Sequence, residues 1–113
     1  MSDKYDLVVT AGADEIRVFR VVDACKHPVV FENYTARMQI RPERGSNELL
    51  DEYTTENGRL VFTDQGLMLR MPNSATSKYA FRRAVYDIVV SASDGTMTRI
   101  VEGRVIVREG VTR

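Results

Sequence analysis

The distribution of apolar and polar residues predicts an all-β protein. Runs of β-branched, aromatic and aliphatic residues recur at about 8–12-residue intervals, the spacing of strands in a β-sandwich or barrel. In residues 34–41 the apolar side chains occupy the even positions and the polar side chains the odd positions. This period of two is typical of a strand with one buried face. We expect strands over Tyr5 to Thr10, Ile16 to Val22, Tyr34 to Arg41, Leu49 to Thr54, Arg59 to Thr63, Leu67 to Met71, Val85 to Ala92, and Met97 to Arg108.

Glycine-containing turns separate several of these runs. Asp94-Gly95 predicts a hairpin with a two-residue type I′ turn, because both central positions of that turn need positive φ. Asn57-Gly58 offers the same chemistry, and Asp64-Gln65-Gly66 suits a three-residue loop with a left-handed glycine. Together these turns predict a meander. Gly103 lies inside the last run, where we expect a bulge or bend at which the strand changes partner.

Three other segments have patterns that differ from simple alternation. The strand predicted over Leu49 to Thr54 also fits a short amphipathic helix, because its apolar residues share a helical face. Ala75 to Ala80 fits a single helical turn. Val85 to Ala92 is apolar at nearly every position except Asp87. That pattern predicts a central strand covered on both sides, or a strand at a subunit contact.

The length of 113 residues fits one domain spanning residues 1–113. With 43% hydrophobic residues the chain can form a packed core without a metal or a disulfide. We expect that core to come from Leu7, Val9, Ile16, Val18, Tyr34, Met38, Ile40, Leu60, Phe62, Leu67, Leu69, Tyr86, Ile88, Val90, Ile100, Val105 and Val107.

Charge and cysteine content exclude several classes of protein. Sixteen basic residues balance sixteen acidic ones, so the long-range field gives no argument for binding nucleic acid or an anionic membrane surface. The polar start of the chain and the absence of a long apolar run predict a protein that is neither exported nor membrane-spanning. A single cysteine, Cys25, excludes the disulfide-rich secreted domains.

Candidate catalytic chemistry is sparse. Asp23, Cys25 and His27 would share one side of an extended strand and resemble a thiol nucleophile with a base. Alternate residues lie about 7 Å apart, too far for a direct hydrogen bond, so we favour a polar connection. Asp87 and Glu102 fit an acid and base pair, but we expect them to accept hydrogen bonds or to pair with arginine. One histidine and one cysteine do not support a metal site, and no nucleotide-binding motif is present, so we expect no cofactor.

Arginine dominates the basic residues, at thirteen of sixteen. Its planar head makes bidentate pairs and is enriched at protein interfaces. Arg37 and Arg41 share the polar face of one predicted strand, and Arg82-Arg83 precede another. A solvated charged face with codon bias is the alternative explanation. We expect the protein interface to contain Arg37, Arg41, Arg70, Arg82 and Arg83.

The order of the pieces carries a resemblance. The pieces are Tyr34 to Arg41, Gly66 to Met71, Ser74-Ala75-Thr76, Val85-Tyr86-Asp87-Ile88, Asp94-Gly95, Arg99 to Gly103, and Val111-Thr112-Arg113. From about Asp14 to Arg113 the chain resembles the small immunoglobulin-like domains encoded among bacteriophage tail and neck genes, and is similar to the N-terminal domain of the phage baseplate upper protein.

This resemblance implies an antiparallel immunoglobulin-like Greek-key β-sandwich of about seven to nine strands. It also implies a non-enzymatic structural or adaptor part of the virion, made in the cytoplasm of the host bacterium. The expected partners are other virion proteins and copies of this chain, with no small-molecule substrate, membrane or nucleic acid. Contact would be made by edge-strand pairing and by arginines.

Two other functions are compatible with the sequence. A receptor- or carbohydrate-binding module is the first, although the absence of tryptophan weakens it. A small enzyme built on Asp23, Cys25 and His27 is the second.

Overall fold

A computed structural model describes residues 3–20, 34–64 and 66–109. Over these residues the chain forms nine β-strands and one short helix. The strands are β1 (Asp3–Lys4), β2 (Leu7–Thr10), β3 (Glu15–Phe19), β4 (Thr35–Arg41), β5 (Asp51–Thr54), β6 (Leu60–Thr63), β7 (Gly66–Met71), β8 (Arg83–Ser91) and β9 (Met97–Arg108). The helix α1 (Asn73–Thr76) lies between β7 and β8.

The strands form two sheets. The large sheet has the order β1-β9-β8-β4-β5, with β2 also pairing with β9, and the small sheet has the order β3-β7-β6. β4, β8 and β9 take the places of strands C, F and G of an immunoglobulin domain, and β3, β7 and β6 take those of B, E and D. The immunoglobulin-like Greek-key sandwich is therefore confirmed. The exception to antiparallel pairing is β9, to which β1 and β2 run parallel.

The core lies between the two sheets. Alternate residues of β4 and β8 are buried, because successive side chains of a strand point to opposite faces. Each fully buried aliphatic side chain contributes roughly 1.5–3 kcal/mol relative to an exposed one. The fully or nearly fully buried members of the core are Leu7, Val9, Met38, Ile40, Tyr53, Leu60, Leu67, Leu69, Met71, Ile88 and Val105.

Most of the predicted core is confirmed, but two members are wrong. Ile16 and Val18 are 58% and 49% exposed. They lie on the outer side of β3, and Phe19 on the same strand is the buried residue. The sequence also missed Tyr53 and Met71, which are fully buried. The predicted members Tyr34, Phe62, Ile100 and Val107 are partly buried and pack against the core.

The central position predicted for Val85 to Ala92 is confirmed, since β8 lies between β4 and β9. Only one of its faces is buried, however, and Val85, Asp87 and Val89 on the other face are half-buried. No other described element covers them. The alternative prediction, a subunit contact on this strand, stays a prediction.

The Asp94-Gly95 hairpin is present, but its loop differs from the predicted type I′ turn. The backbone N–H of Ala92 donates to Thr96 O at 2.8 Å, which closes a loop of residues 93–95. Gly95 takes the left-handed conformation in this loop, with φ of 93°. A three-residue loop of this kind usually combines a type I turn with a left-handed glycine.

Asn57-Gly58 does not close a hairpin, because β5 belongs to the large sheet and β6 to the small one. The predicted meander is wrong at this point, and the turn carries the chain from one sheet to the other. β6 and β7 do form a hairpin, in which Gly66 pairs with Thr63. The positive φ predicted for Gly66 is confirmed, but the predicted three-residue loop is wrong, because Gly66 already belongs to β7.

Gly103 marks the predicted change of partner, but it is not the bulge. β9 pairs with β1 at residues 101–102 and with β2 at residues 105–108. A Cβ atom at Gly103 would overlap the carbonyl oxygen of Tyr5, so glycine permits the close approach of the first strands. The bulge lies beside Ile100, where the β8–β9 register shifts by one residue.

The two remaining local predictions are settled by the elements observed. The segment predicted as a strand or a short helix contains the strand β5. The predicted helical turn exists as α1, but it begins at Asn73 rather than Ala75.

Candidate functional site

The solvent-facing side of β4, β5, β8 and β9, here called the outer face, gathers charged side chains in rows. Directly paired residues on neighbouring antiparallel strands share a face, so register determines the rows. One row contains Glu102, Asp87, Gln39 and Glu52. The rows on either side of it are Arg104, Val85 and Arg41, and Arg99, Val89 and Arg37.

Each carboxylate that the sequence singled out on β8 and β9 pairs with an arginine. Arg99 Nε donates to Asp87 Oδ2 at 2.9 Å. Arg44 Nη2, from the turn after β4, donates to Glu102 Oε2 at 3.0 Å. The prediction of arginine pairing is thereby confirmed. Such partly exposed pairs stabilise a fold by about 0–1 kcal/mol, so their main effect is to position side chains on this surface.

Gln39 organises the other end of the outer face. Its Nε2 donates to Glu52 Oε2 at 2.7 Å, and its Oε1 accepts a hydrogen bond from Arg41 Nη2 at 2.8 Å. Arg41 Nη1 also donates to the carbonyl oxygen of Ser46 at 3.2 Å. Arg37 approaches the same Glu52 oxygen at 3.9 Å. These contacts hold Arg41 and Glu52 in fixed positions across two strands.

An open depression of about 290 Å³ lies on the outer face between the turn after β4 and the middle of β9. Polar side chains such as Gln39, Arg41, Asp87 and Arg99 line it. Most of these groups already bond to one another. The depression is therefore part of the paired surface rather than a pocket with unsatisfied polar groups.

Three arginines of the outer face lack such partners. Among the described residues, the side chains of Arg83, Arg104 and Arg108 make no hydrogen bond or ion pair. Arg104 neighbours Val85, and Arg83 neighbours Ile106, so each guanidinium stands beside an aliphatic side chain. Together they form a basic, partly apolar end of the outer face.

The predicted interface arginines do not all lie together. Arg37, Arg41 and Arg83 share the outer face. Arg82 precedes β8 and is exposed, and Arg70 lies on the far side of the molecule, in the small sheet. The sequence missed Arg44, Arg99 and Arg104. The bulge beside Ile100 brings Arg99 and Glu102 to one face of β9. No residue type in the sequence indicated a bulge at this position.

A second polar cluster connects the two sheets. Tyr79 OH donates to Asp51 Oδ2 at 2.6 Å, so the hydroxyl of the buried Tyr53 donates to the oxygen of Tyr79. Arg59, just before β6, donates to Asp51 Oδ1 at 3.1 Å and lies over the Tyr53 ring, 4.8 Å from its centroid. We call these four residues the tyrosine cluster.

The tyrosine cluster is suited to holding the sheets together rather than to proton transfer. Burial raises the pKa of Tyr53 to about 12. Burial, and then the hydrogen bond to Asp51, raise the pKa of Tyr79 further. Both phenols keep their protons at neutral pH. Burial likewise raises the pKa of Tyr86, whose hydroxyl donates to Tyr5 O at 2.6 Å.

Among the described residues β5 is an edge strand, and its edge is blocked by its own Asp51 side chain and by side chains that follow the strand. The N–H of Glu52 donates to Asp51 Oδ1 at 2.9 Å, and its carbonyl accepts from Asn57 Nδ2 and Arg59 Nη1, both at 3.3 Å. The N–H of Thr54 donates to Asn57 Oδ1 at 3.1 Å. Since these backbone groups already have partners, the predicted edge-strand pairing does not apply to β5.

Asp23, Cys25 and His27 lie outside the described residues. Within residues 3–20, 34–64 and 66–109, no group of His, Cys, Asp and Glu is arranged to hold a metal ion. Nor does any helix of that part of the chain have the length and apolar character required to cross a membrane.

Comparisons with known proteins add little. No family model matches the sequence, and no curated protein does. Among solved structures, extracellular domains 3–5 of Drosophila OTK are similar to this chain at 16% sequence identity, with a TM-score of 0.44. The match covers 90% of this chain and 32% of that one, so this chain spans about a third of the structure it resembles. At this distance the similarity says nothing about what the chain binds.

Proposed function

We propose that this chain is a non-enzymatic binding module that acts through protein contacts, and that it is a structural or adaptor component of a bacteriophage virion. The virion assignment follows from the sequence resemblance. The proposal of protein contacts is supported by the basic end of the outer face, where Arg83 and Arg104 stand beside aliphatic side chains without a partner of their own among the described residues.

The chemistry of this surface suits a protein partner with carboxylates. A guanidinium offers two parallel N–H donors to a carboxylate, and desolvation at an interface strengthens such bonds. The aliphatic neighbours Val85 and Ile106 supply apolar area around them. The neighbouring network around Gln39 keeps the rest of the surface rigid, which lowers the ordering cost of binding.

The decisive experiment for the virion role is mass spectrometry of purified particles of a phage that encodes this chain. We expect the protein at stoichiometric levels. Its absence from particles would overturn the virion role. A glycan array with the purified protein tests the alternative of a carbohydrate-binding module, and clear sugar binding by a monomer would favour that alternative.

The binding surface itself is tested by reversing charge. The double variant Arg83→Glu with Arg104→Glu should reduce incorporation of the protein into particles. Lys78→Glu reverses one charge at an exposed residue after α1, outside the strands of the outer face, and should have no effect. Equal incorporation of all three proteins would show that the basic end is not the contact surface.

A further inference from the structure

Among the described residues β3 is an edge strand of the small sheet, and it differs from β5 because its outward backbone groups have few partners there. The N–H of Arg70 donates to Arg59 O, so the even residues of β7 bond to β6 and the odd ones bond to β3. The register then directs the N–H and C=O groups of Glu15, Arg17 and Phe19 toward β7. Those of Ile16 and Val18 point away from the sheet.

Few partners meet these outward groups. Among the described residues, the carbonyl of Ile16 accepts one hydrogen bond, from Arg17 Nη1 at 3.0 Å. The N–H groups of Ile16 and Val18 have no partner there. The two side chains are also the exposed aliphatic residues of this sheet. An edge with unpaired backbone groups and apolar side chains is suited to the addition of a strand.

The sequence of β3 is complementary to itself. In an antiparallel pair of two β3 strands centred on Ile16, Glu15 of each copy lies opposite Arg17 of the other. The two Ile16 residues then exchange N–H and C=O hydrogen bonds across a two-fold axis, and their side chains meet. Centring the pair on Arg17 would place like charges opposite each other, and centring it on Val18 would create no ion pair.

We infer that β3 pairs antiparallel with β3 of a second copy of this chain, which joins the two small sheets into one six-stranded sheet. This inference rests on the proposed assembly function and names one of its contacts. Within one copy Arg17 Nη2 and Glu15 Oε2 are 3.7 Å apart. This weak ion pair can be replaced by the ion pair between copies. In the pair, Arg17 Nη2 keeps its hydrogen bond to Val8 O. The hydrogen bond from Arg17 Nη1 to Ile16 O is replaced by one from the Ile16 N–H of the second copy.

Sedimentation analysis of the purified protein from micromolar to millimolar concentrations tests this pairing. We expect a reversible dimer. Glu15→Arg should weaken it roughly tenfold, because both cross-strand pairs become repulsive. Glu15→Arg combined with Arg17→Glu restores both attractions and should recover the dimer. Ile16→Lys should abolish it, because the two lysines would meet at the axis.

Val61→Lys is the matched control. Val61 lies on the same side of the small sheet as Ile16, but on β6, two strands away from β3. It should leave the dimer intact. Circular dichroism checks that each variant folds, and recovery in the double variant distinguishes lost pairing from lost structure. A monomer at every concentration, a dimer that tolerates Ile16→Lys, or a double variant no better than Glu15→Arg would overturn the inference.

The outcome is separable from the proposed function. A failure of β3 pairing leaves the outer face and its arginines as the contact surface, to be judged by incorporation into particles. Conversely, absence from particles would refute the virion role even if the dimer forms in solution.

Discussion

Removing one hydroxyl group from the tyrosine cluster should destabilise the whole domain. Tyr79→Phe deletes the donor to Asp51 and also the acceptor for the hydroxyl of Tyr53. The phenylalanine ring still fits the site and keeps its contact with Phe81. The change therefore isolates the polar connection between β5, the segment before β6 and the segment after α1.

The magnitude follows from the two hydrogen bonds that the Tyr79 hydroxyl makes. A hydrogen bond to a charged acceptor contributes about 1.5–3 kcal/mol, and a buried hydroxyl left without a partner costs about 1–3 kcal/mol. Asp51 remains close enough for Tyr53 to regain part of this stabilisation, because the structure places both beside Tyr79. We expect the free energy of unfolding to fall by about 2–3 kcal/mol, and the melting temperature by about 10 °C.

Urea denaturation followed by circular dichroism measures this decrease. Tyr5→Phe is the matched control, because the Tyr5 hydroxyl has no hydrogen-bond partner in the described part of the chain, and its ring packing on Phe19 survives. It should change the free energy of unfolding by less than about 0.5 kcal/mol. If Tyr79→Phe behaves like Tyr5→Phe, the cluster does not hold the sheets together and our reasoning is wrong.

Three further predictions concern other parts of the fold. Because the pKa of Tyr53 is raised from 10.0 to about 12, its contribution to stability is complete below pH 10 and should be lost as pH rises through 12, which denaturation at alkaline pH can follow. Gly103→Ala should destabilise the domain by about 3 kcal/mol or more because its Cβ would overlap Tyr5 O, whereas Gly12→Ala, with open space around it, should cost only about 1–2 kcal/mol for its positive φ. Arg99→Gln removes an exposed ion pair and should change the free energy of unfolding by less than about 1 kcal/mol; a larger decrease would mean that the outer face stabilises the fold.

The sequence predicted strands better than it predicted which face of a strand is buried. The alternation in β4 was sufficient, because polar residues occupy its whole outer side. In β3 the apolar Ile16 and Val18 suggested a core face, but the sandwich side of that strand holds Glu15 and Arg17. At a sheet edge these charged side chains reach solvent, and Arg17 also donates to Val8 O. A period of two in hydrophobicity therefore separates the two faces of a strand without showing which face points inward.

Long-range contacts account for the other differences. The Asn57-Gly58 turn has the residues of a hairpin, yet the pairing of β5 with β4 and of β6 with β7 sends the chain between sheets. Tyr53 is fully buried because Tyr79, 26 residues later, gives its hydroxyl a partner. Neither outcome is encoded in neighbouring residues. The arginines of the outer face were predicted only in part. Their rows depend on the register of β9, which neighbouring residues do not determine.

The blocked edge of β5 has a consequence for solubility. Asn57 both shapes the crossover between the sheets and covers the backbone of Glu52 and Thr54. A replacement there would leave the N–H of Thr54 without a partner and remove one of the two donors to the carbonyl of Glu52, which makes this edge more open to pairing with another chain. Damage at this turn would thus be recognised first as precipitation in concentrated samples, and only secondarily as a loss of folding.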